Sequence, residues 1–218
     1  MNVLELFAGS RSVGKAAESL GMNVFSSDLN AFDGIDYAVD ILDFDVNKVP
    51  FIPDVIWASP PCTTYSIAAV FCHRDGQKPK TPFAEKSDRM IAKLHDIIDH
   101  FTSINPDLKY FIENPRGMLR KMDFMRRHLD RRCVMYCRYG DTRMKPTDIW
   151  SNHIYSLFNP NGWIPREQCF NGNKNCHHEE APRGSKTSGT QGLKDNYQRS
   201  KIPNELCLEI LQSTIRYA

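Results

Sequence analysis

Short apolar segments alternate with helical patterns along most of this chain, and this alternation constrains its fold more than any other feature. Residues 3–7 lead through a turn at Gly9 into a helical pattern closed by Gly21, and a second apolar segment covers 23–27. Further strand-like segments cover 54–58, 108–112 and 132–139. Strands that alternate with helices form mainly parallel sheets. The sequence therefore predicts an α/β fold, a doubly wound, Rossmann-like and mostly parallel sheet with helices on both faces.

Two helical patterns stand out after the first 80 residues. Apolar residues recur at helical spacing over 87–104, which predicts an amphipathic helix with His95 at the surface. Pro203, placed in a first helical turn, opens a last helix.

A long polar segment separates the third strand from the amphipathic helix. Residues 63–86 are rich in Thr, Pro, Lys and Gly, and they form a longer loop than a structural connection needs. Loops of this kind often close over substrate. We expect His73 and Arg74 within it to be exposed.

The size and composition of the chain limit the classes of protein to which it can belong. Its 218 residues (25.0 kDa) suit one α/β domain, and 41% hydrophobic residues are enough for a core. No apolar run reaches a membrane span of roughly 20 residues, and the start has no basic leader, so we expect a cytoplasmic protein. The seven Cys residues lack the spacing of a disulfide framework, which indicates reduced thiols.

The net charge of +2 hides a polarised chain. Residues 1–60 carry three basic and nine acidic side chains, whereas residues 116–145 carry ten Lys and Arg against three Asp. A basic segment of this kind suits a polyanionic partner, and a solvated helix face explains the charge equally well.

Reactive or acidic residues lie at three strand ends of the predicted sheet: Asp28 (together with the Gly9 turn), Cys62 and Glu113. In open α/β sheets, ligands bind beyond the carboxyl ends of the strands, which are the positions of Gly9, Asp28, Cys62 and Glu113. The Gly9 turn offers backbone amides to a ligand, and Asp28 is placed to accept ribose hydroxyls. Residues 9–15 also spell G-x-x-x-x-G-K, but Ala16 stands where a phosphate loop needs Ser or Thr, which disfavours a nucleotide triphosphatase.

Taken together, these segments resemble the ordered motifs of the DNA cytosine-5 methyltransferases over nearly the whole chain. In sequence order the matching motifs are Leu6-Phe7-Ala8-Gly9-Ser10, Asp28, Asp40-Ile41, Ser59-Pro60-Pro61-Cys62, Ile112-Glu113-Asn114, residues 139–145 and residues 200–203. The most specific are the first strand and its turn, the Pro-Cys and the Glu-Asn.

The resemblance implies S-adenosylmethionine as cofactor and a set of residues around it. It identifies as cofactor-binding residues Phe7, Ala8, Gly9, Ser10, Asp28, Leu29, Asp40, Ile41, Pro60 and Ser200. It also implies Cys62 as nucleophile, Glu113 at the cytosine ring, and Arg143 with Lys145 beside the reacting base.

The chemistry explains why a thiol and a carboxyl group are required. Cytosine C5 is a poor nucleophile until a thiolate adds at C6, and a carboxyl group at N3 lowers the cost of that addition. C5 then attacks the methylsulfonium, a base removes the C5 proton, and the thiolate leaves. The base must leave the duplex for this attack, so the resemblance also implies base flipping into a pocket.

The chain departs from the family pattern in two places, and two alternative functions stay open. Glu113-Asn114-Pro115 replaces the usual Glu-Asn-Val, and residues 142–145 replace Gln-x-Arg-x-Arg. The Ser59–Cys62 turn also resembles the S-P-P-aromatic turn of exocyclic-amino DNA methyltransferases, although Cys62 stands where those enzymes need an aromatic residue. A catalytically silent DNA- or cofactor-binding module is the alternative of another class.

Residues 151–200 occupy the place of the family's target-recognition region and are short for that task. The expected division is a catalytic domain over 1–150, this recognition segment, and a C-terminal helix over 201–218 that returns to the catalytic domain. The expected zinc ligands are Cys137, Cys169, Cys176 and His177, with ordinary thiols and exposed histidines as the alternative. The expected DNA contacts are Arg183, Lys186, Lys194 and Arg199, with a solvated loop as the alternative.

The remaining expectations concern the setting of the protein. We expect a monomer that acts on DNA containing the target cytosine and has no membrane partner. Short methyltransferases of this appearance resemble phage-encoded ones, so the expected setting is the cytoplasm of a bacterial or phage-infected host cell, with a role against restriction. Because so few residues remain to contact bases, the sequence specificity is expected to be short or loose.

Overall fold

The computed structural model describes residues 1–128, 130–157, 159–170, 172–176, 178–179 and 195–215. In these ranges the strands are β1 (Asn2–Leu6), β2 (Asn23–Asp28), β3 (Tyr37–Ala38), β4 (Val55–Ala58), β5 (Arg74–Asp75), β6 (Lys78–Pro79), β7 (Lys109–Pro115), β8 (Arg131–Met135) and β9 (Pro146–Ser151). The helices are α1 (Ser12–Ser19), α2 (Val70–His73), α3 (Pro82–Ile104), α4 (Asn196–Ser200) and α5 (Asn204–Thr214).

Seven of the strands form one sheet in the order β3-β2-β1-β4-β7-β9-β8. The pairs from β3 to β7 are parallel, and β9 is antiparallel to both β7 and β8. The chain order reverses between β1 and β4, and the strands on either side of this point are parallel. The predicted doubly wound, mostly parallel sheet is therefore confirmed.

Strand β4 shows how the two faces of the sheet are filled. Successive side chains of a strand point to opposite faces. Val55 and Trp57 pack in the cluster that contains α1 and α5, and Ile56 and Ala58 pack in the cluster that contains α3. Helices thus cover both faces, as expected, and Trp57 stacks on Phe111 in the core with ring centroids 5.7 Å apart.

A buried carboxyl group lies under the start of α1. Oε1 of Glu5 accepts a hydrogen bond from the backbone N–H of Val13, and Oε2 accepts one from the Ser26 hydroxyl. A Cβ on Gly14 would lie 2.7 Å from Oε2, so only glycine fits over this group. Burial raises the pKa of Glu5 from its ordinary value of 4.5 to about 7.

Three local expectations were wrong. Residues 132–139 do not form one strand, because β8 ends at Met135 and a 3-10 turn follows over Tyr136–Tyr139. The loop over 63–86 contains α2 and the β5–β6 hairpin. Arg74 is buried there, because its guanidinium pairs with Asp88 and lies over the Tyr65 ring.

His95 is also buried, although it was expected at the surface. Its Nε2 and the Nε2 of His128 are 2.9 Å apart and share a hydrogen bond. Burial lowers the pKa of His95 to about 4 and that of His128 to about 3, so the pair is neutral at physiological pH.

The later part of the chain returns to the sheet. Strand β9 crosses residue 150, where the catalytic domain was expected to end. Helix α5 packs against α1 in the same core cluster. Among the described helices, none has the length and apolar character needed to cross a membrane.

Candidate active site

A cavity of about 350 Å³ opens at the carboxyl ends of β1, β2 and β4. Pockets of this size are typical of small-molecule and cofactor sites. The predicted cofactor residues that line it are Phe7, Gly9, Asp28, Leu29, Asp40, Ile41 and Ser200. The sequence therefore identified about half of its wall.

The turn after β1 contains three left-handed residues. Phe7 has φ 55°, Gly9 has φ 48° and Arg11 has φ 54°. A left-handed conformation is costly for a residue with a side chain, and such strain concentrates at ligand sites. The turn directs the N–H of Gly9 at Oδ2 of Asp28 over 2.9 Å. Oδ1 of Asp28 accepts a hydrogen bond from the N–H of Asn30, also over 2.9 Å. The two backbone donors fix the Asp28 carboxylate at the cavity wall and leave lone pairs on both oxygens.

Four predicted cofactor residues already have other partners or lie away from the wall. Asp40 lines the cavity, but its carboxylate pairs with Lys86 and also accepts from the N–H of Leu42. Ala8, Ser10 and Pro60 are absent from the wall. The Ser10 hydroxyl hydrogen-bonds the Ser12 hydroxyl, and the carbonyl of Pro60 accepts a hydrogen bond from Nδ2 of Asn114.

Several wall residues were not predicted from the sequence. Phe32 and Tyr197 form one side of the cavity, with ring centroids 5.6 Å apart. Tyr197 lies in α4, whose start is capped by the Asp195 carboxylate. Single aromatic residues in polar segments carry no periodic signal, so no pattern in the sequence selects them. The other missed wall residues are Ser27, Asn30, Val39, Ser59, Pro61 and Met90.

Cys62 lies just beyond β4, where the Pro60-Pro61 turn brings it to the edge of the sheet. The thiol is half-buried. Burial, and then the negative charge of Glu113, raise the pKa of Cys62 above its ordinary value, while the positive charges of Lys145 and Arg199 oppose that rise. The four side chains therefore share one electrostatic environment, which brings together three of the predicted catalytic residues.

Glu113 lies near the end of β7, next to β4, and is buried. Its Oε1 accepts a hydrogen bond from the hydroxyl of Tyr136 over 2.8 Å. Tyr136 is fully buried, and its role was missed because it fell inside a segment expected to be a strand. One carboxyl oxygen of Glu113 is thus held in place by the protein.

Asn114 links the two strand ends that carry Cys62 and Glu113. Its Nδ2 donates to the carbonyl oxygen of Pro60 over 2.8 Å. Asn114 is fully buried, and its Oδ1 has no hydrogen-bond partner within the described ranges. The bond fixes the Pro-Cys turn relative to β7.

Lys145 and Arg143 lie between the 3-10 turn and β9 but have different surroundings. Nζ of Lys145 donates to the carbonyl of Arg199 over 3.2 Å and lies 4.6 Å from the centre of the Tyr136 ring. Burial lowers the pKa of Lys145 below its ordinary value. The guanidinium of Arg143 is instead bound by the Asp141 carboxylate.

The remaining predicted residues are the zinc ligands and the DNA contacts. The Sγ atoms of Cys137, Cys169 and Cys176 and a ring nitrogen of His178 lie within 4.8 Å of one another. The predicted fourth ligand, His177, lies outside the described residues, and its neighbour His178 completes the cluster. Of the predicted DNA contacts, Arg183, Lys186 and Lys194 lie outside the described residues. Arg199 lies in α4, where its charge acts on Cys62.

A second cavity, of about 420 Å³, lies between the segment after Cys62 and the segment after Glu113. Its wall includes two exposed apolar side chains, Ile67 (68% exposed) and Phe71 (79% exposed). Arg116 and Lys121 add positive charge to the same wall. We name this surface the basic groove.

Comparisons with known proteins give relatives in sequence and in structure. A protein of Frog virus 3 (isolate Goorha) named "Probable DNA (cytosine-5)-methyltransferase" is 30% identical over 181 residues, which are 80% of this chain and 80% of that protein. The Entamoeba histolytica methyltransferase EhMeth superposes with a TM-score of 0.53 at 16% identity, over 71% of this chain and 55% of that one. A DNMT2 structure from Spodoptera frugiperda has a TM-score of 0.47 at 16% identity, over 76% of this chain and 55% of that one.

This chain thus spans about half the length of the solved structures that it matches. No family model matches it. The likeness to EhMeth, together with the sheet order, defines a Rossmann-like methyltransferase fold. The level of sequence identity to the viral relative, and the length over which it extends, show the family. The chain belongs to the DNA cytosine-5 methyltransferases, and it is an enzyme of that class.

Proposed function

We propose that this enzyme transfers a methyl group from S-adenosylmethionine to C5 of cytosine in DNA, through a covalent bond between Cys62 and C6 of a flipped-out base. The observation that carries the proposal is the convergence of a thiol, a carboxyl group and an ammonium group at adjacent strand ends. Cys62, Glu113 and Lys145 act on one another electrostatically there. The cavity lined by Gly9 and Asp28 opens at the same edge of the sheet.

The first cavity fits the cofactor in volume and in the kind of groups that it offers. The Asp28 carboxylate has free lone pairs for two ribose hydroxyls, and Phe32 and Tyr197 offer aromatic faces. A Cβ on Gly9 would lie 3.4 Å from the Ser200 hydroxyl, so the glycine keeps this part of the cavity open. When bound, S-adenosylmethionine supplies an electrophilic methyl group on sulfur.

Cys62 acts as the nucleophile. The thiol loses its proton, and the thiolate adds to C6 of cytosine, which moves electron density to C5 and N3. Burial disfavours the thiolate, so the cations of Lys145 and Arg199 are required to stabilise it. After methyl transfer a base removes the C5 proton, and the thiolate leaves C6.

Glu113 supports the addition by binding the N3 edge of the base. Its Oε1 is held by Tyr136, which leaves Oε2 for the cytosine. Hydrogen bonding or proton donation to N3 by a carboxyl group fixed in this way offsets the negative charge that develops on the ring, and such preorganised groups contribute strongly to catalysis.

The basic groove gives the DNA strand a route to Cys62. Arg116 and Lys121 supply charge for phosphates, and Phe71 offers an exposed apolar side chain next to them. Apolar side chains that enter a base stack partly unstack it and kink the duplex. The exposed Phe71 is suited to that task.

A mechanism-trapping experiment tests the proposal. DNA containing 5-fluorocytosine blocks loss of the C5 substituent, so the protein–DNA adduct accumulates after methyl transfer. With S-adenosylmethionine, the wild type should form an adduct whose mass equals protein plus methylated DNA, and Cys62→Ala should form none. Cys72→Ala, which removes an exposed thiol, is the matched control and should form the adduct.

The same experiment separates the alternative functions. An exocyclic-amino methyltransferase would methylate ordinary DNA at N4 or N6 without any adduct, and nucleoside analysis of the product would detect this. A silent binding module would retain cofactor or DNA and yield neither product. Either outcome overturns the proposal.

A further inference from the structure

We propose that Cys137, Cys169, Cys176 and His178 bind one structural Zn²⁺ ion. The first of these residues lies in the 3-10 turn after β8, and the other three lie in the recognition segment. Their four ligand atoms lie within 4.8 Å of one another, although Cys137 and Cys169 are 32 positions apart in the sequence. Folding therefore gathers three thiols and an imidazole at one point.

The spacing of the ligand atoms fits a tetrahedral zinc site. With Zn–S of about 2.3 Å and Zn–N of about 2.0–2.1 Å, a tetrahedron separates sulfur from nitrogen by about 3.5 Å. Nδ1 of His178 is 3.6 Å from Sγ of Cys169 and 3.2 Å from Sγ of Cys176. Both distances require little movement to reach the coordinated geometry.

The donor set selects the metal. Three thiolates and one imidazole are soft and borderline ligands, which favour zinc and disfavour magnesium and calcium. Four protein ligands also fill a tetrahedral shell and leave no position open to substrate, so the site is structural. Methyl transfer supplies no role for this ion, and the inference does not rest on the proposed function.

The recognition segment shows why an ion is needed. Phe170 and Ile164, in this segment, are 64% and 63% exposed, so they add little to a core. Ile154 and Trp163 anchor the start of the segment in the core cluster that contains α1 and α5. Beyond Arg166, the described contacts with the catalytic part include the hydrogen bond from the N–H of Glu179 to the carbonyl of Thr142 over 2.8 Å. The free energy of metal binding becomes folding energy for such a segment.

Through Cys137, the ion would also connect the recognition segment to the candidate active site. Cys137 lies next to Tyr136, whose hydroxyl holds Glu113. Glu179 follows His178 directly and forms a β-bridge with Arg143. The ion therefore ties the recognition segment to the loop that carries Tyr136, Arg143 and Lys145.

Metal analysis of the full chain tests the inference. The protein is purified without a histidine tag and without added metal, under reducing conditions, and its zinc content is measured by mass spectrometry of the elements. The wild type should hold one zinc per chain, and Cys169→Ser and Cys176→Ser should lose it. Cys72→Ser and Cys133→Ser remove thiols outside the cluster, so these control variants should keep the metal.

Cobalt replacement keeps the test decisive if a serine variant fails to fold. The wild type is stripped of metal and titrated with Co²⁺, and thiolate-to-cobalt charge-transfer absorption of a tetrahedral site should appear at one equivalent. His178→Cys preserves four ligands, so it should retain metal and increase that absorption, whereas His178→Ala should weaken it. Wild-type protein without zinc and without the cobalt absorption overturns the inference, as does a disulfide between any two of the three cysteines in freshly purified protein.

Discussion

The hydroxyl of Tyr136 donates a hydrogen bond to Oε1 of Glu113 over 2.8 Å, inside the core of the protein. The bond connects the turn after β8 with the end of β7. It holds the carboxyl group that we propose binds the cytosine ring, while Tyr136 itself is too deeply buried to meet solvent.

Removing this hydroxyl should slow methyl transfer and leave cofactor binding unchanged. A hydrogen bond to a charged group contributes about 1.5–3 kcal/mol, so Tyr136→Phe should lower kcat about 10- to 100-fold. The measurement is single-turnover methylation of DNA with radiolabelled cofactor, together with calorimetric cofactor binding. Tyr155→Phe, at an exposed tyrosine, is the control. Equal rates for Tyr136→Phe and wild type would show that the bond does not serve the reaction.

The pKa of Cys62 should move in opposite directions when its two charged neighbours are removed. Lys145→Met removes a charge that lowers this pKa, so thiolate formation should shift to higher pH. Glu113→Gln removes a charge that raises the pKa, so thiolate formation should shift to lower pH. The measurement is the rate of iodoacetamide alkylation at Cys62 against pH, followed by peptide mass spectrometry. Lys48→Met, at an exposed lysine, should leave the profile unchanged. Shifts in the same direction for both variants would contradict this electrostatic account.

Loss of the Asp28 carboxylate should weaken cofactor binding. Asp28→Ala removes the acceptor of the Gly9 N–H and the proposed ribose contacts. Each bond to the carboxylate contributes about 1.5–3 kcal/mol, so the Kd for S-adenosylmethionine should rise at least about tenfold. Isothermal titration calorimetry measures it, with Asp33→Ala at an exposed acid as the control. An unchanged Kd would place the cofactor elsewhere.

Charge removal in the basic groove should weaken DNA binding and reduce its dependence on salt. Each phosphate contact changes the slope of log K against log salt by about 0.9. Arg116→Ala combined with Lys121→Ala should therefore make the slope shallower by up to about 1.8 units. Fluorescence anisotropy with a labelled duplex at several salt concentrations measures both quantities, and Lys48→Ala is the control. If affinity falls while the slope keeps its wild-type value, these residues do not contact phosphates.

Glu5 should make the protein less stable as the pH rises from about 4.5 to about 7. In that range the folded state holds a proton on Glu5 that the unfolded state has lost, so raising the pH favours unfolding. The shift corresponds to about 3 kcal/mol. Denaturant unfolding at pH 5 and pH 7 should therefore show a smaller loss of stability for Glu5→Gln than for wild type. Glu85→Gln, at an exposed carboxyl group, should behave like wild type, and an identical pH dependence for Glu5→Gln would refute the assignment.

The histidine pair acts in the opposite sense over part of the same range. His95 and His128 have lowered pKa values, so the unfolded state binds more protons between about pH 4 and 6.5, and acid destabilises the fold. For this reason the Glu5 effect is defined as the difference between variant and wild type at each pH.

The sequence was sufficient to predict the position in the fold of residues that directly follow a buried apolar strand. Asp28, Cys62 and Glu113 each follow such a run or lie near its end, and parallel strands bring these ends to one edge. Strand β9 was missed because it runs antiparallel and begins with Pro146 and polar residues.

Features that depend on contacts between distant segments were not predictable from local pattern. A charged residue in a polar loop suggests exposure, and only the tertiary pairing with Asp88 explains the burial of Arg74. The choice of His178 as a member of the cysteine cluster likewise depends on backbone direction, which adjacent histidines in a sequence do not reveal.

The recognition segment contacts the turn and loop between β8 and β9. The guanidinium of Arg166 lies over the ring of Tyr139, and the backbone of Glu179 bonds that of Thr142. An engineer who exchanged the recognition segment as a cassette cut at residue 151 would leave half of each contact in the recipient. The smallest transplantable unit begins before Tyr136 and carries Lys145 with it. If Lys145 and Tyr136 act as proposed, grafts of this segment are therefore expected to alter turnover as well.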